Sequence, residues 1–109
     1  MKDYKLTGRI WLTLDDKMVL GEGKILLLNN IETLGSLRQA AEAMKMSYRK
    51  AWYSINQINK TAKEPVVILK RGGAEGGSAQ ITDYGKQLIG TFLKQKKDFK
   101  DFLEQHNKS

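Results

Sequence analysis

A chain of 109 residues with 40% hydrophobic content suits a single domain with one modest core. It has no cysteine, which excludes disulfides, thiol nucleophiles and zinc-cysteine sites. The formal charge of +7 favours a polyanionic partner.

The excess charge is not spread evenly. Residues 1–35 carry five basic and five acidic side chains, residues 36–86 nine and four, and residues 87–109 five and three. No apolar run approaches the ~20 residues of a membrane span, and the polar Met1 to Tyr4 does not open a leader sequence. These features lead us to expect a cytoplasmic protein with no membrane partner.

Lys5 to Leu14 alternates in part and is rich in strand formers, which predicts an N-terminal strand. Asp15-Asp16-Lys17 reads as a polar turn, because Asp side chains bond nearby backbone amides. No histidine or third acid accompanies the pair, so a metal or acid/base role is not expected there. From Gly23 to Leu34 the residues Ile25, Leu28, Ile31 and Leu34 recur at helical spacing, with Gly35 as a left-handed stop. Ser36 then caps a short helix through Met44, whose buried stripe is Leu37, Ala40, Ala41 and Met44. Lys45-Met46 makes a turn. Ser47 caps the next helix, Tyr48 to about Lys63, which Glu64-Pro65 brings to an end.

Val66 to Leu69 predicts a buried strand, residues 72–78 a glycine-rich tip, and Ala79 to Ile81 the returning strand. Thr82-Asp83 opens a final helix to about residue 106, bearing Leu88, Ile89, Phe92, Leu93, Phe99, Phe102 and Leu103. At ~1.5 Å per residue such a helix outruns a domain of this size, so its far half is expected to need a partner or to stay exposed.

This order is that of a winged helix-turn-helix, in which one helix enters the DNA major groove and a hairpin touches the flanking backbone. The expectation is a single domain over 1–109, mainly α with a small β-sheet. Its helix-turn-helix covers about 36–63, its wing about 66–81 and its C-terminal helix about 82–106. Within the second helix, Ala51, Ile55, Ile58 and Ala62 define a core face. The opposite face presents Arg49, Lys50, Tyr53, Asn56, Gln57 and Lys60, with Ser47 and Tyr48 at the leading end. Arg and Lys can bond guanine edges, and Asn and Gln adenine edges. Trp52, between the two faces, is expected to pack on the first or last helix.

In the tip, Gly72, Gly73, Gly76 and Gly77 allow close backbone approach, and their amides can bond phosphate. Lys70 and Arg71 add charge at its base, and Ser78 a hydroxyl. Gly72 and Gly77 have the spacing of a Walker glycine pair. The Lys-Ser/Thr and following helix of a nucleotide loop are absent, because Ser78 to Ile81 continues as strand. The only histidine, His106, lies in a polar tail. No nucleophile–base pair or metal cluster is visible, so neither an enzyme nor a cofactor is expected.

The segments GSLRQAAEAMKMSYRKAW (35–52), Ile58-Asn59, EPVV (64–67) and RGGAEGGSAQITDYGKQLI (71–89) resemble the DNA-binding domain of the molybdate-dependent transcriptional regulator (ModE) family, itself similar to the LysR-type winged helix. The resemblance implies a homodimer joined through the first and last helices, which carry Ile25, Leu28, Phe92, Phe99, Phe102 and Leu103. It also implies DNA contacts from Ser47, Tyr48, Arg49, Lys50 and Tyr53, and a wing at Gly72 to Ser78. Full-length members carry C-terminal oxyanion-binding domains for which residues up to Ser109 leave no room, so molybdate sensing is not carried over. The leading expectation is a sequence-specific, double-stranded-DNA-binding transcriptional regulator. The alternative is a winged-helix protein-interaction module or adaptor without specific DNA reading.

Overall fold

A computed structural model describes residues 3–71 and 77–108. In chain order it contains β1 (Leu12–Leu14), β2 (Lys17–Leu20), α1 (Glu22–Leu34), α2 (Leu37–Ala43), α3 (Tyr48–Thr61), β3 (Val67–Lys70), β4 (Ser78–Ile81) and α4 (Asp83–Lys108). The helices fall where periodicity and caps place them. Ser36 Oγ accepts the Gln39 N–H and Ser47 Oγ the Lys50 N–H, filling donors that a helix start leaves unpaired. Gly35 closes α1 in the left-handed conformation, with φ 71° and its N–H on the Ile31 carbonyl. The α2–α3 turn uses a lysine for the same task. Lys45 has φ 55°, its N–H bonds Glu42 and the Met46 N–H bonds Ala41, the paired pattern of a Schellman stop. Helix α3 ends at Thr61, with Ala62 as its C-cap, so Pro65 follows the stop instead of causing it.

The N-terminal strand differs from expectation. Only Leu12–Leu14 of the expected 5–14 pairs, and it pairs with β2, a strand the sequence reading missed. The two are antiparallel, Leu14 opposite Lys17, around Asp15 and Asp16 at φ 51° and 64°. Two consecutive left-handed residues make the tight turn whose twist suits a hairpin, and Asp tolerates that conformation better than most residues. Residues 5–11 have no strand partner. They lie instead beside the distal part of α4, where the Asn107 side chain accepts the Leu6 N–H at 2.9 Å and donates to the Leu6 carbonyl at 3.0 Å. Gly8 sits so close to Phe99 that a Cβ there would fall 2.9 Å from the ring. Glu22 meets Arg9 at 3.9 Å and Lys96 at 3.4 Å, linking this strap to α1 and α4.

One core joins the elements. Val19 and Leu20 of β2, Ile25, Leu28 and Ile31 of α1, Ala40 and Ala41 of α2, Ala51, Ile55 and Ile58 of α3, Ile81 of β4, and Ile89 and Phe92 of α4 are all buried. The alanines of α2 permit its close crossing with α3. Beyond Phe92 no described residue of α4 is fully buried, although Phe99, against Gly8 of the strap, and Leu103 are half-buried. The far half is therefore less bare than expected, and the molecule is elongated, 59 × 29 × 19 Å.

Candidate nucleic-acid interface

The exposed side of α3 follows from its buried side. With Ala51, Ile55 and Ile58 turned inward, Arg49, Lys50, Tyr53, Asn56 and Lys60 are exposed and Gln57 is half-buried. Tyr53 is 62% exposed, and its hydroxyl accepts the Gln57 Nε2–H at 3.0 Å, which holds two potential base readers against each other. Ser47 is exposed at the leading end. Its oxygen serves the Lys50 amide at 3.1 Å, so its hydroxyl proton is the group left for an outside acceptor. Tyr48 is exposed beneath the Arg38 guanidinium, 5.5 Å from the ring centre, within cation–π range.

The wing base lies on one flank of this face. Strands β3 and β4 pair from Val67 opposite Ile81 to Lys70 opposite Ser78, and Lys70, Arg71 and Ser78 are exposed. Gly77 has φ 111°, and a Cβ there would run into the Lys70 carbonyl. Its glycine is thus explained by the local backbone alone. Gly72, Gly73 and Gly76 lie outside the described residues. A cleft of about 90 Å³ separates wing from helices, with Arg38, Tyr48, Trp52, Lys70, Arg71 and Ser78 among its walls.

Trp52 corrects an expectation. It packs on neither the first nor the last helix but is 43% exposed in this cleft. The reason is rotational: Trp52 lies one position past the buried Ala51, on the side of α3 that β3 occupies. Asn59 occupies that same side two turns on, and sequence reading gave it no role beyond the resemblance. Its Oδ1 accepts the Val66 and Val67 N–H groups at 2.7 and 3.1 Å, and its Nδ2 donates to the Val67 carbonyl at 2.9 Å. On the other side of the wing base, Thr82 caps α4 through the Gly85 N–H at 2.9 Å. The Thr82 hydroxyl donates to the Pro65 carbonyl at 2.7 Å, and its N–H to the Val66 carbonyl at 2.9 Å. Gly85 completes the joint, since a Cβ there would lie 2.6 Å from the Val66 oxygen. Arg38, at the front of α2, is a second residue without an expected role, and its position was hidden because it depends on the wing folding back over α2.

The residues expected at a chain–chain contact divide into two groups. Ile25, Leu28 and Phe92 are buried within this chain, where their side chains build the core. Phe99 and Leu103 are half-buried, while Phe102 is 57% exposed. Phe102 stacks 6.4 Å from both Phe99 and His106, and Tyr4 and Leu6 of the strap are exposed as well. The opposite side of this arm is solvated, with Lys94–Asp98 and Lys97–Asp101 pairs at helical spacing. The Asp101 hydrogen bond raises the Lys97 ammonium above its ordinary pKa. Among the described residues no cluster of three His, Cys, Asp or Glu could hold a metal ion, and no helix is long and apolar enough to cross a membrane.

No protein-family model matches the chain. Individual relatives do. It is 36% identical over 92 residues to the molybdenum transport protein ModE of Azotobacter vinelandii, covering 84% of this chain and 34% of that protein. It is 37% identical over 78 residues to the DNA-binding transcriptional dual regulator ModE of Escherichia coli, covering 72% and 30%. The molybdenum-pterin-binding protein MopA of Rhodobacter capsulatus is 34% identical over 73 residues, covering 67% and 28%. The chain thus spans about a third of the length of the curated relatives it matches.

Proposed function

This chain is a homologue of the ModE regulators, aligned with their N-terminal region, and from that relationship we propose that it is a sequence-specific, double-stranded-DNA-binding transcriptional regulator that acts as a homodimer. The observation that carries the reading is the shared side of two elements. The exposed face of α3 holds Arg49, Lys50, Tyr53, Asn56 and Lys60, and the wing base beside it holds Lys70 and Arg71. Side chains that can bond base edges sit at the centre, and cations suited to phosphate sit at the flank. In this reading α3 enters the major groove, Ser47 and Tyr48 leading, and the wing lies on the backbone.

Arg49→Ala is expected to lower binding to a selected site by about 1–3 kcal/mol and to random duplex by much less, as loss of a bidentate guanine contact would. Equal losses on both, measured by fluorescence anisotropy, would reduce Arg49 to a backbone anchor. Selection from a random duplex pool tests the reading as a whole. Enrichment of an inverted repeat supports a dimeric reader; no enrichment, with poor duplex affinity at moderate salt, supports an interaction module instead.

Two copies are brought together, in this reading, by the arm. Phe102 of the distal α4 and Tyr4 and Leu6 of the N-terminal segment are apolar side chains that this chain leaves exposed, and burying such surface drives association at roughly 25 cal/mol per Å² before the costs of ordering. Phe102→Ala is expected to shift sedimentation toward the single chain while leaving thermal unfolding of the body within about 0.5 kcal/mol. An unchanged oligomeric state would move the contact elsewhere.

A further inference from the structure

Within the DNA-binding reading, on which this inference rests, Trp52 has no stated role. We propose that the cleft between α2, α3 and the wing base is a seat for one DNA backbone phosphodiester, with Trp52 and Arg38 as its direct ligands. Three observations converge on it. Trp52 is 43% exposed, and no described group accepts its indole N–H. Indole is a donor only, so a partner from outside the chain must be an acceptor. Arg38 is held over Tyr48 at 5.5 Å and forms no ion pair with a described carboxylate. The cation–π contact holds the guanidinium beside the cleft while leaving N–H groups to bond a phosphate in a charge-assisted fork. Lys70 and Arg71 supply further positive charge on the facing wall.

The walls of the cleft suit a phosphodiester, because they combine donors with one flat apolar surface. A deoxyribose can lie on the indole face while the adjoining phosphate oxygen accepts from Nε1–H and from Arg38. The contact carries no sequence information. Its effect is to fix how far α3 rotates and slides in the groove, because Trp52 is on the same helix as the base readers, one turn from Tyr48 and adjacent to Tyr53.

The test uses the intact chain carrying Trp11→Phe, so that Trp52 is the sole emitter, and labelled random-sequence duplex. Duplex should change Trp52 emission as anisotropy rises. Inorganic phosphate at matched ionic strength should not, and a change with phosphate alone would overturn the assignment to a DNA backbone. Trp52→Phe keeps a ring but removes the donor. It should weaken random and selected duplex equally, roughly tenfold, as loss of a charge-assisted hydrogen bond would. Arg38→Ala should do the same. Both variants should melt as the parent does, since neither side chain is buried. Unchanged emission together with parental affinity in Trp52→Phe would overturn the phosphate seat while leaving the DNA reading intact. Failure of the parent to bind any duplex would overturn both.

Discussion

Asn59→Ala should lower unfolding free energy by about 3 kcal/mol, because it strands three backbone groups at once. The side chain accepts from Val66 and Val67 and donates back to Val67, at 2.7, 3.1 and 2.9 Å. Both valines are buried, so water cannot readily replace the lost partners, and each orphaned group costs about 1–3 kcal/mol with incomplete additivity. Asn59→Asp keeps two acceptors and loses the donor, while bringing a charge into a part-buried site, and should fall between parent and alanine. Urea denaturation measures the loss, and hydrogen exchange at the Val66 and Val67 amides locates it. A change below about 0.5 kcal/mol would mean that the wing base is held by Thr82 and Gly85 without α3. Under the proposed DNA reading, duplex affinity should fall with stability, since this joint fixes the hairpin against α3.

Phe92→Ala is expected to be the most destabilising single truncation, about 3–5 kcal/mol. It has the largest of the fully buried side chains and is 0% exposed. It is also the last fully buried residue on α4, where the helix leaves the body. Against the 5–15 kcal/mol of an ordinary domain this leaves little margin. Phe92→Leu should recover most of the loss. Were Phe92 part of a chain–chain contact, as the family resemblance implies, truncation would show mainly as weaker association with the chain still folded. A parental midpoint in dilute protein would support that arrangement over the core position.

The helices were legible because their cues are local. A cap residue, an i, i+3, i+4 stripe and a left-handed glycine each act within a turn or two, and α1 to α4 start and stop within a few residues of where those cues point. β2 was not legible, because Lys17-Met18-Val19-Leu20 leads directly into the stripe of α1 and Asp-Asp is a less familiar hairpin turn than Asn-Gly. The polar gap Asp15-Asp16-Lys17 between apolar runs was the available signal. The outward face of α3 could be read from its inward one, but what flanks that face depends on contacts between segments distant in sequence. Trp52 and Asn59 sit on one side of the helix, and only the arrival of β3 makes one a cleft wall and the other a clamp. The motif around Ile58-Asn59, Glu64 to Val67 and Ile81 to Gly85 looked like part of a binding signature. Much of it is the joint between α3, β3 and α4. Ile25, Leu28 and Phe92 are covered within this chain, which their spacing alone does not tell: periodicity marks an apolar face without saying whether its cover is the same chain or another.

The pairing of Leu6 with Asn107 spans 101 positions, and this sets an order of events as well as a shape. Contacts of such separation carry the largest loop-closure cost and are favoured only after the intervening chain is compact. Helices α1 to α3 and the wing should therefore consolidate first, and the strap should dock onto an α4 already anchored at Phe92. In the folded protein the same contact should be among the first to open, so the Leu6 amide should exchange far faster than those of Ile55 or Ile58. Seen in time, the molecule should be a body that is complete early and an arm that is repeatedly unfastened and refastened.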